Sequence, residues 1–317
     1  MINRNFRNCL ITGVNGSGGS FLAEFLLKKK IKVYGTYRNK KNNLKLIKKN
    51  IKLIRCDLNN FNNTVNLIKK VNPDLIFHLA SIADVRLSFD KPREIIINNN
   101  NCTLNILEAI RVTKKNPIII ICSTSEVYGN VKKKNMPIDE NFKIEPINPY
   151  AVSKSFQDLI AQNYYKVYGL RIIITRMFTY INPRRLNLFA SNWAKQIAEI
   201  EKGKKKILEH GNMNSVRTII DIKDAMNAYW LTAKRGKIGE IYNIGGNHKV
   251  KISKIMDILK KKSTVIIKTR VNKKLLRKSD IEFQIPNSKK FIRDTRWKVS
   301  TRLDQSIQNL IDFYRKN

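Results

Sequence analysis

"NCLITGVNGSGGSFLAEFLL", Asn8 to Leu27, decides the fold. An apolar strand runs into a glycine turn, and an amphipathic helix follows at once, with Phe21, Leu22, Phe25 and Leu26 on one face. Gly13, Gly16 and Gly19 form G-x-x-G-x-x-G between the two. Glycine there permits a tight turn and lets a pyrophosphate approach backbone N–H groups at the helix N-terminus. In a strand–turn–helix context that pattern predicts dinucleotide binding.

Outward from this unit the chain keeps alternating. "KVYGTYR", "IKLIRCDL", "PDLIFHLAS", "PIIIIC" and "LRIIITRMF" read as strands, separated by helical stretches such as "TLNILEAIRV" and "SKSFQDLIAQNYYKVYG". Such β-α-β alternation predicts an α/β fold, a Rossmann-type doubly wound parallel sheet with right-handed crossovers and helices on both faces. From about Phe178 the pattern turns irregular, although "GEIYNIGG" reads as one more core strand. We therefore expect a dinucleotide-binding domain over 1–177, rejoined by 218–244, and a smaller, mainly C-terminal α/β substrate lobe over 178–217 and 245–317.

The second strand ends at Arg38 with no acidic residue after it to bond a ribose 2′-OH. Arg38 suits a 2′-phosphate, which favours NADP over NAD, with NAD the alternative. Asp57, ending the third strand, is placed to touch the adenine, or is a simple loop aspartate.

Composition bounds the rest. The 317 residues carry 62 Lys and Arg against 24 Asp and Glu, a net charge of +38. A basic nucleic-acid-binding protein is one reading of that balance. The excess is spread along the chain in stretches rich in Lys, Asn and Ile, with neither an RNP box nor a helix-turn-helix signature, so no specific nucleic acid is expected. Cys9, Cys56, Cys102 and Cys122 are scattered, and His78, His210 and His248 are isolated, which argues for reduced buried thiols and against a disulfide framework or a metal site. No apolar run is long enough to span a membrane and no signal-peptide pattern opens the chain; a cytoplasmic protein is expected.

Two motifs carry chemistry. "STSEVYG", Ser123 to Gly129, follows the buried strand "PIIIIC", and ligands of open parallel sheets sit beyond the strand C-termini. An extended exit would alternate its side chains, sending Thr124 and Glu126 into the crevice and Ser125 elsewhere. "NPYAVSKS" puts Tyr150 and Lys154 four residues apart on one helix face. An ammonium beside a phenol stabilises phenolate, so Tyr150 is expected to have a lowered pKa and to act as an acid/base.

With these motifs the chain resembles the extended short-chain dehydrogenase/reductase family, from Cys9 to the last helix. It is most similar to the GDP-mannose 4,6-dehydratase group, through "TGVNGSGGSFLAEFLL", "STSEVYG", "NPYAVSKS", "NPRR", "HGNMNSVRTIIDIKDAMNAYW" and "IPNSKKFIRDTRW". The resemblance implies a nucleotide-diphosphate sugar as substrate, GDP-mannose first among them, and a homodimer or tetramer. It implies that Thr124 bonds the sugar hydroxyl, Tyr150 exchanges its proton, Lys154 holds the nicotinamide ribose and Glu126 is the dehydratase base. Leu79, Ala80 and Asn99 would line the cofactor. Arg217 and Arg277, with Arg184, Arg185 and Lys195 as further candidates, would bind the substrate's nucleotide diphosphate. A reductase, epimerase or decarboxylase of the same family stays open, because the triad is shared. Asp84 stands where many dehydratases have histidine, and Thr179 where asparagine is usual. The stretch after Arg38 lacks the second arginine and the serines of long-form dehydratases, whose tetramer contacts are therefore not expected.

Overall fold

A computed structural model describes residues 3–39, 43 and 50–317. The dinucleotide half comprises β1 (Asn8–Thr12), α1 (Ser17–Lys28), β2 (Lys32–Tyr37), β3 (Lys52–Arg55), α2 (Phe61–Val71), β4 (Leu75–His78), α3 (Val85–Asp90), α4 (Pro92–Val112), β5 (Ile118–Thr124), α5 (Pro149–Tyr168) and β6 (Ile172–Met177). Beyond it lie β7 (Tyr180–Ile181), α6 (Phe189–Glu201), β8 (Leu208–His210), β9 (Val216–Thr218), β10 (Ile220–Asp221), α7 (Ile222–Arg235) and β11 (Ile241–Ile244). The chain ends in β12 (Lys249–Lys251), α8 (Ile252–Lys261), β13 (Thr269–Val271), β14 (Phe283–Gln284), α9 (Lys289–Thr295) and α10 (Leu303–Lys316).

Seven strands form one parallel sheet in the order β11-β6-β5-β4-β1-β2-β3. These are the seven apolar runs read in the sequence. Ile118, Ile119, Ile120 and Ile121 of β5 are all buried because helices cover both faces, which is why the run is apolar without alternation. Leu22 and Leu26 of α1 pack on one face with α7, while α2, α4 and α5 cover the other. The order reverses at β1, which pairs with β2 on one side and β4 on the other. A crevice beyond the strand C-termini therefore opens over β1 and β4.

Local signals set the helix that matters most. Asn148 caps α5 by accepting the N–H of Ala151 at 2.8 Å, and Pro149 occupies its first turn. Gly169 ends it in the left-handed conformation, φ 67°. The smaller lobe buries its own core among α6, α8 and α10, through Trp193, Ile197, Ile255, Leu259, Ile307 and Leu310.

The C-terminal segment departs from the expected partition. Phe291 of α9 and Trp297 are buried in the core of the central sheet, with Tyr242 and α7, and the Trp297 indole donates to the Asp224 carbonyl at 3.1 Å. Among the described residues no helix is long and apolar enough to cross a membrane.

Candidate active site

The exits of β1 and β4 are stitched together. Gly13 has φ +67°, and a Cβ there would lie 2.9 Å from the Ala80 Cα, so the turn needs glycine twice over. The Thr12 hydroxyl accepts the N–H groups of Leu79 and Ala80, each at 3.1 Å, and lies 3.0 Å from His78 Nδ1. With two donors already on it, Thr12 gives its own proton to Nδ1, which leaves the His78 Nε2–H to donate to Thr103 Oγ1 at 2.9 Å. Burial, with Lys154 nearby, lowers the His78 pKa to about 3, so the ring is neutral. Leu79 and Ala80 thus line the floor of the crevice beside Gly13. A Cβ on Gly19 would strike the Gly13 carbonyl at 2.6 Å, and no side chain caps α1 at Gly16. These are the features of a cradle for a pyrophosphate, and the residues fit the dinucleotide expected from the sequence.

At the far end of the crevice Arg38 is exposed and donates to Asn98 Oδ1 at 2.9 Å. Asn59 reaches the same oxygen at 3.2 Å and donates to Asp57 Oδ1 at 3.0 Å. Arg38 and Asp57 are therefore brought together through Asn98 and Asn59. The expectation about tetramer contacts after Arg38 falls mainly on residues 40–42 and 44–49, which lie outside the described residues.

The candidate catalytic residues come together where β5 meets α5. Thr124 ends β5, and its hydroxyl accepts the Glu126 N–H at 3.3 Å. Ser125 to Tyr128 is a 3-10 turn, not the extended exit expected, yet Ser125 is buried while Thr124 and Glu126 are half-exposed. Thr124 caps this turn, which is what bends the chain out of the strand. Tyr150 and Lys154 are buried on one face of α5.

Their electrostatics differ from the simple expectation. Burial pushes the Tyr150 phenol up to about 12; Arg185 opposes this, Glu126 adds to it, and the Thr124 hydroxyl opposes it. Lys154 falls to about 8, mainly through burial. Its ammonium donates to the Cys122 carbonyl at 2.6 Å. Desolvation of the phenol outweighs the opposing Arg185 charge, so in the free protein Tyr150 is protonated. Asn99 is fully buried and tied to the loop after β4: its side chain accepts the Ile82 N–H at 2.7 Å and donates to Ser153 Oγ at 2.9 Å. It holds α4, that loop and α5 in register.

The Glu126 carboxylate is gripped from two directions. Asn148 Nδ2 donates to Oε2 at 3.0 Å, and Gln284 Nε2, on β14, reaches Oε1 at 3.5 Å. Neither partner is singled out in the sequence analysis; an Asn directly before Pro at a helix start is the one local signal that could have marked Asn148. Arg217 on β9 pairs in register with Gln284. Its guanidinium is buried and donates to the carbonyls of Ile281 at 2.6 Å, Val216 at 3.0 Å and Glu282 at 3.1 Å. Burial lowers its pKa to about 10, while the nearby Glu126 and Asp280 raise it and Arg277 lowers it. Arg277 reaches Asp280 at 3.7 Å and its charge acts on Arg217, so the two arginines form one cationic corner, of which Arg217 is the member that feels Glu126.

The other cations separate. Arg185 donates to the Ala83 carbonyl at 2.7 Å, bridging from the segment after β7 to the exit of β4, and its charge acts on Tyr150. Arg184 turns away: it bonds Glu24 at 2.6 Å and Ser20 at 3.0 Å and stacks on the Phe21 ring, all on α1. A carboxylate on the neighbouring helix holds this guanidinium, and Arg184 is not brought to the crevice beside Arg217 and Glu126. Lys195 lies on the exposed side of α6, 3.6 Å from Glu199, and likewise does not enter the site. Asp84 caps α3 by accepting the Leu87 N–H at 3.0 Å, which accounts for an acidic residue at that place.

This geometry can be set beside known proteins. The sequence profile described as GDP-mannose 4,6 dehydratase matches residues 10–310. The chain belongs to the GDP-mannose 4,6-dehydratase family. A GDP-mannose 4,6-dehydratase of Vibrio cholerae is 34% identical over 242 residues, 72% of this chain and 64% of that protein. The matched part of the chain thus spans about two-thirds of the length of that relative. One from Dictyostelium discoideum is 27% identical over 336 residues, 95% of this chain and 94% of its own. The structure of RMD from Pseudomonas aeruginosa, complexed with NADPH, superposes with a TM-score of 0.85 at 23% identity, covering 98% of this chain and 99% of that one. That likeness shows the fold of this GDP-mannose 4,6-dehydratase family member; its chemistry rests on the site.

Proposed function

We propose that this chain is an NADP-dependent nucleotide-sugar 4,6-dehydratase that converts GDP-mannose to GDP-4-keto-6-deoxymannose. The observation that carries the reading is Glu126, a carboxylate aimed from the exit of β5 and held by Asn148 and Gln284 beside Thr124 and Tyr150. Family membership and the profile match along most of the chain support it.

NADP⁺ bound over Gly13, Gly16 and Gly19 would supply a hydride acceptor and a positive charge near the phenol, and would be restored by the end of the cycle. Arg38 at the end of β2 supports the choice of NADP. Tyr150, once it has lost its own proton beside the bound cofactor's charge, takes the proton of the sugar's C4 hydroxyl as the ketone forms, and Thr124 orients that oxygen. Arg185 is the protein cation that acts on Tyr150. Lys154 presents its ammonium at the same face of α5. The C4 ketone acidifies the C5–H; Glu126 removes that proton and passes it to the departing C6 hydroxyl, which leaves as water, and the C5–C6 double bond so formed takes the hydride at C6 and a proton at C5. Arg217 and Arg277 would clamp the diphosphate.

Four buried free cysteines support a cytoplasmic setting. A homodimer is supported by two exposed apolar stripes on neighbouring helices, Ile97 and Val112 on α4 and Val152, Leu159 and Val167 on α5.

GDP-mannose with NADP⁺ should give a product lighter by one water with no net reduction of cofactor. Glu126→Gln keeps shape but removes the base, so bound NADPH should accumulate while elimination slows by roughly 10²–10⁴-fold. A protein that leaves GDP-mannose untouched yet oxidises NADPH with the 4-keto-6-deoxy sugar is a reductase, and the reading fails.

A further inference from the structure

Asn148 does two things at once. Its Oδ1 accepts the Ala151 N–H at 2.8 Å and so starts α5; its Nδ2 donates to Glu126 Oε2 at 3.0 Å. The orientation of the amide is not arbitrary. Turned over, it would set an oxygen against a carboxylate and an NH₂ against an N–H, and lose both bonds. Asn148 is 5% exposed, so water does not readily replace either bond. The next residues are Pro149 and Tyr150, so one side chain ties the proton acceptor for C5 to the helix that carries the acid/base for C4.

We propose that Asn148 is the positioning residue that aligns the Glu126 carboxylate with the C5 proton of the sugar. The proposal rests on the dehydratase reading. Glu126 sits on a single 3-10 turn and its other oxygen has only the longer 3.5 Å bond to Gln284. Without the Asn148 N–H the carboxylate would swing about that contact, and a misplaced base loses rate steeply. Asn148 does not touch the reacting atoms; it acts through Glu126.

Two substitutions separate this role from helix capping. Serine and aspartate both cap helices well, so α5 and the fold persist in Asn148→Ser and Asn148→Asp. Serine lacks the reach and the second donor. Aspartate puts a like charge beside Glu126, which makes Glu126 hold its proton more tightly. The other titratable groups that face Glu126 are Tyr150 on α5 and Arg217 on β9, and both variants leave them in place.

The full chain with GDP-mannose and NADP⁺ is followed in D₂O by two signals: bound NADPH formed in the first turnover, and deuterium entering at C5. Both variants should form bound NADPH at close to the unmodified rate, while C5 exchange falls about 10–10²-fold. In Asn148→Asp the acid limb of C5 exchange should move up by about one pH unit; in Asn148→Ser it should stay. Equal losses in hydride transfer and exchange, with no limb displaced in Asn148→Asp, would reduce Asn148 to a helix cap and overturn the proposal. If the unmodified protein itself neither exchanges C5 nor loses water, the dehydratase reading falls first and the proposal with it.

Discussion

Beneath the catalytic turn lies a buried ion pair whose removal gives a sharp test of the packing that supports the site. Arg176 on β6 donates from Nε and Nη2 to the two oxygens of Asp158 on α5, both at 2.9 Å. Their side chains are 3% and 0% exposed. Arg176 Nη1 also donates to the Tyr128 hydroxyl at 2.8 Å, and Tyr128 in turn donates to Asn243 at 2.7 Å. Asp158→Asn leaves a guanidinium buried without its counter-charge, and Arg176→Met strands the carboxylate. Each should cost about 3–5 kcal/mol. The double variant removes both charges and loses only the bonds to Tyr128 and the Glu140 carbonyl, a cost of about 1–3 kcal/mol. The double change should therefore be milder than either single one, with a coupling of about 6 kcal/mol. Urea unfolding of the four proteins measures it. Additive losses would refute the reasoning, because the pair would then not be the buried, mutually dependent unit the structure shows. A functional echo is expected too: Tyr128 lies in the turn that carries Glu126, so the double variant should slow elimination more than C4 oxidation.

Three further outcomes follow from single positions. Arg38→Ala should weaken NADP(H) by about 1.5–3 kcal/mol and leave NAD(H) nearly unchanged, checked by titration of both cofactors; equal affinity of the unmodified protein for the two would remove the assignment. Lys154, lowered to about 8 by burial, loses its charge above that pH, so kcat/KM should fall on the alkaline side with an apparent pKa near 8. Lys154→Arg should be slower but lack that limb, since a guanidinium stays charged. His78 titrates near 3 when folded and 6.5 when unfolded, so the unfolded chain takes up a proton first and stability falls as pH drops from 6.5 towards 3, by at most about 4–5 kcal/mol. Acid unfolding of His78→Asn should show a correspondingly flatter pH dependence across that window.

What the sequence disclosed was set by sequence distance. Each of the seven sheet strands announced itself through its own apolar run, and Tyr150 with Lys154, or Gly13 with Gly19, are pairings within one turn of chain. Arg184 with Glu24, and Gln284 with Glu126, join residues 160 and 158 positions apart, and only the packed fold selects those partners. Arginines of one short motif thus part company, Arg185 to the crevice and Arg184 to α1. The direction of the Tyr150 shift was hidden for a related reason. Spacing sets the distance to Lys154, but desolvation depends on what covers α5, and here it wins.

The same distances explain why the base is the most informative residue of the site. Tyr150 and Lys154 share one helix and would keep their relation wherever that helix went. Glu126 has no such guarantee. Its turn issues from β5, its closer donor comes from the cap of α5, and its second donor sits on β14, paired in register with Arg217 of β9. The carboxylate is in place only when the central sheet, α5 and the small three-stranded sheet have all packed together. A substrate diphosphate held at Arg217 would pull on the strand pair that carries Gln284, and its grip would reach the base through a single hydrogen bond. On the dehydratase reading, chemistry at C5 would thereby be coupled to binding at the far end of the substrate, whereas chemistry at C4, carried by the one helix, would not.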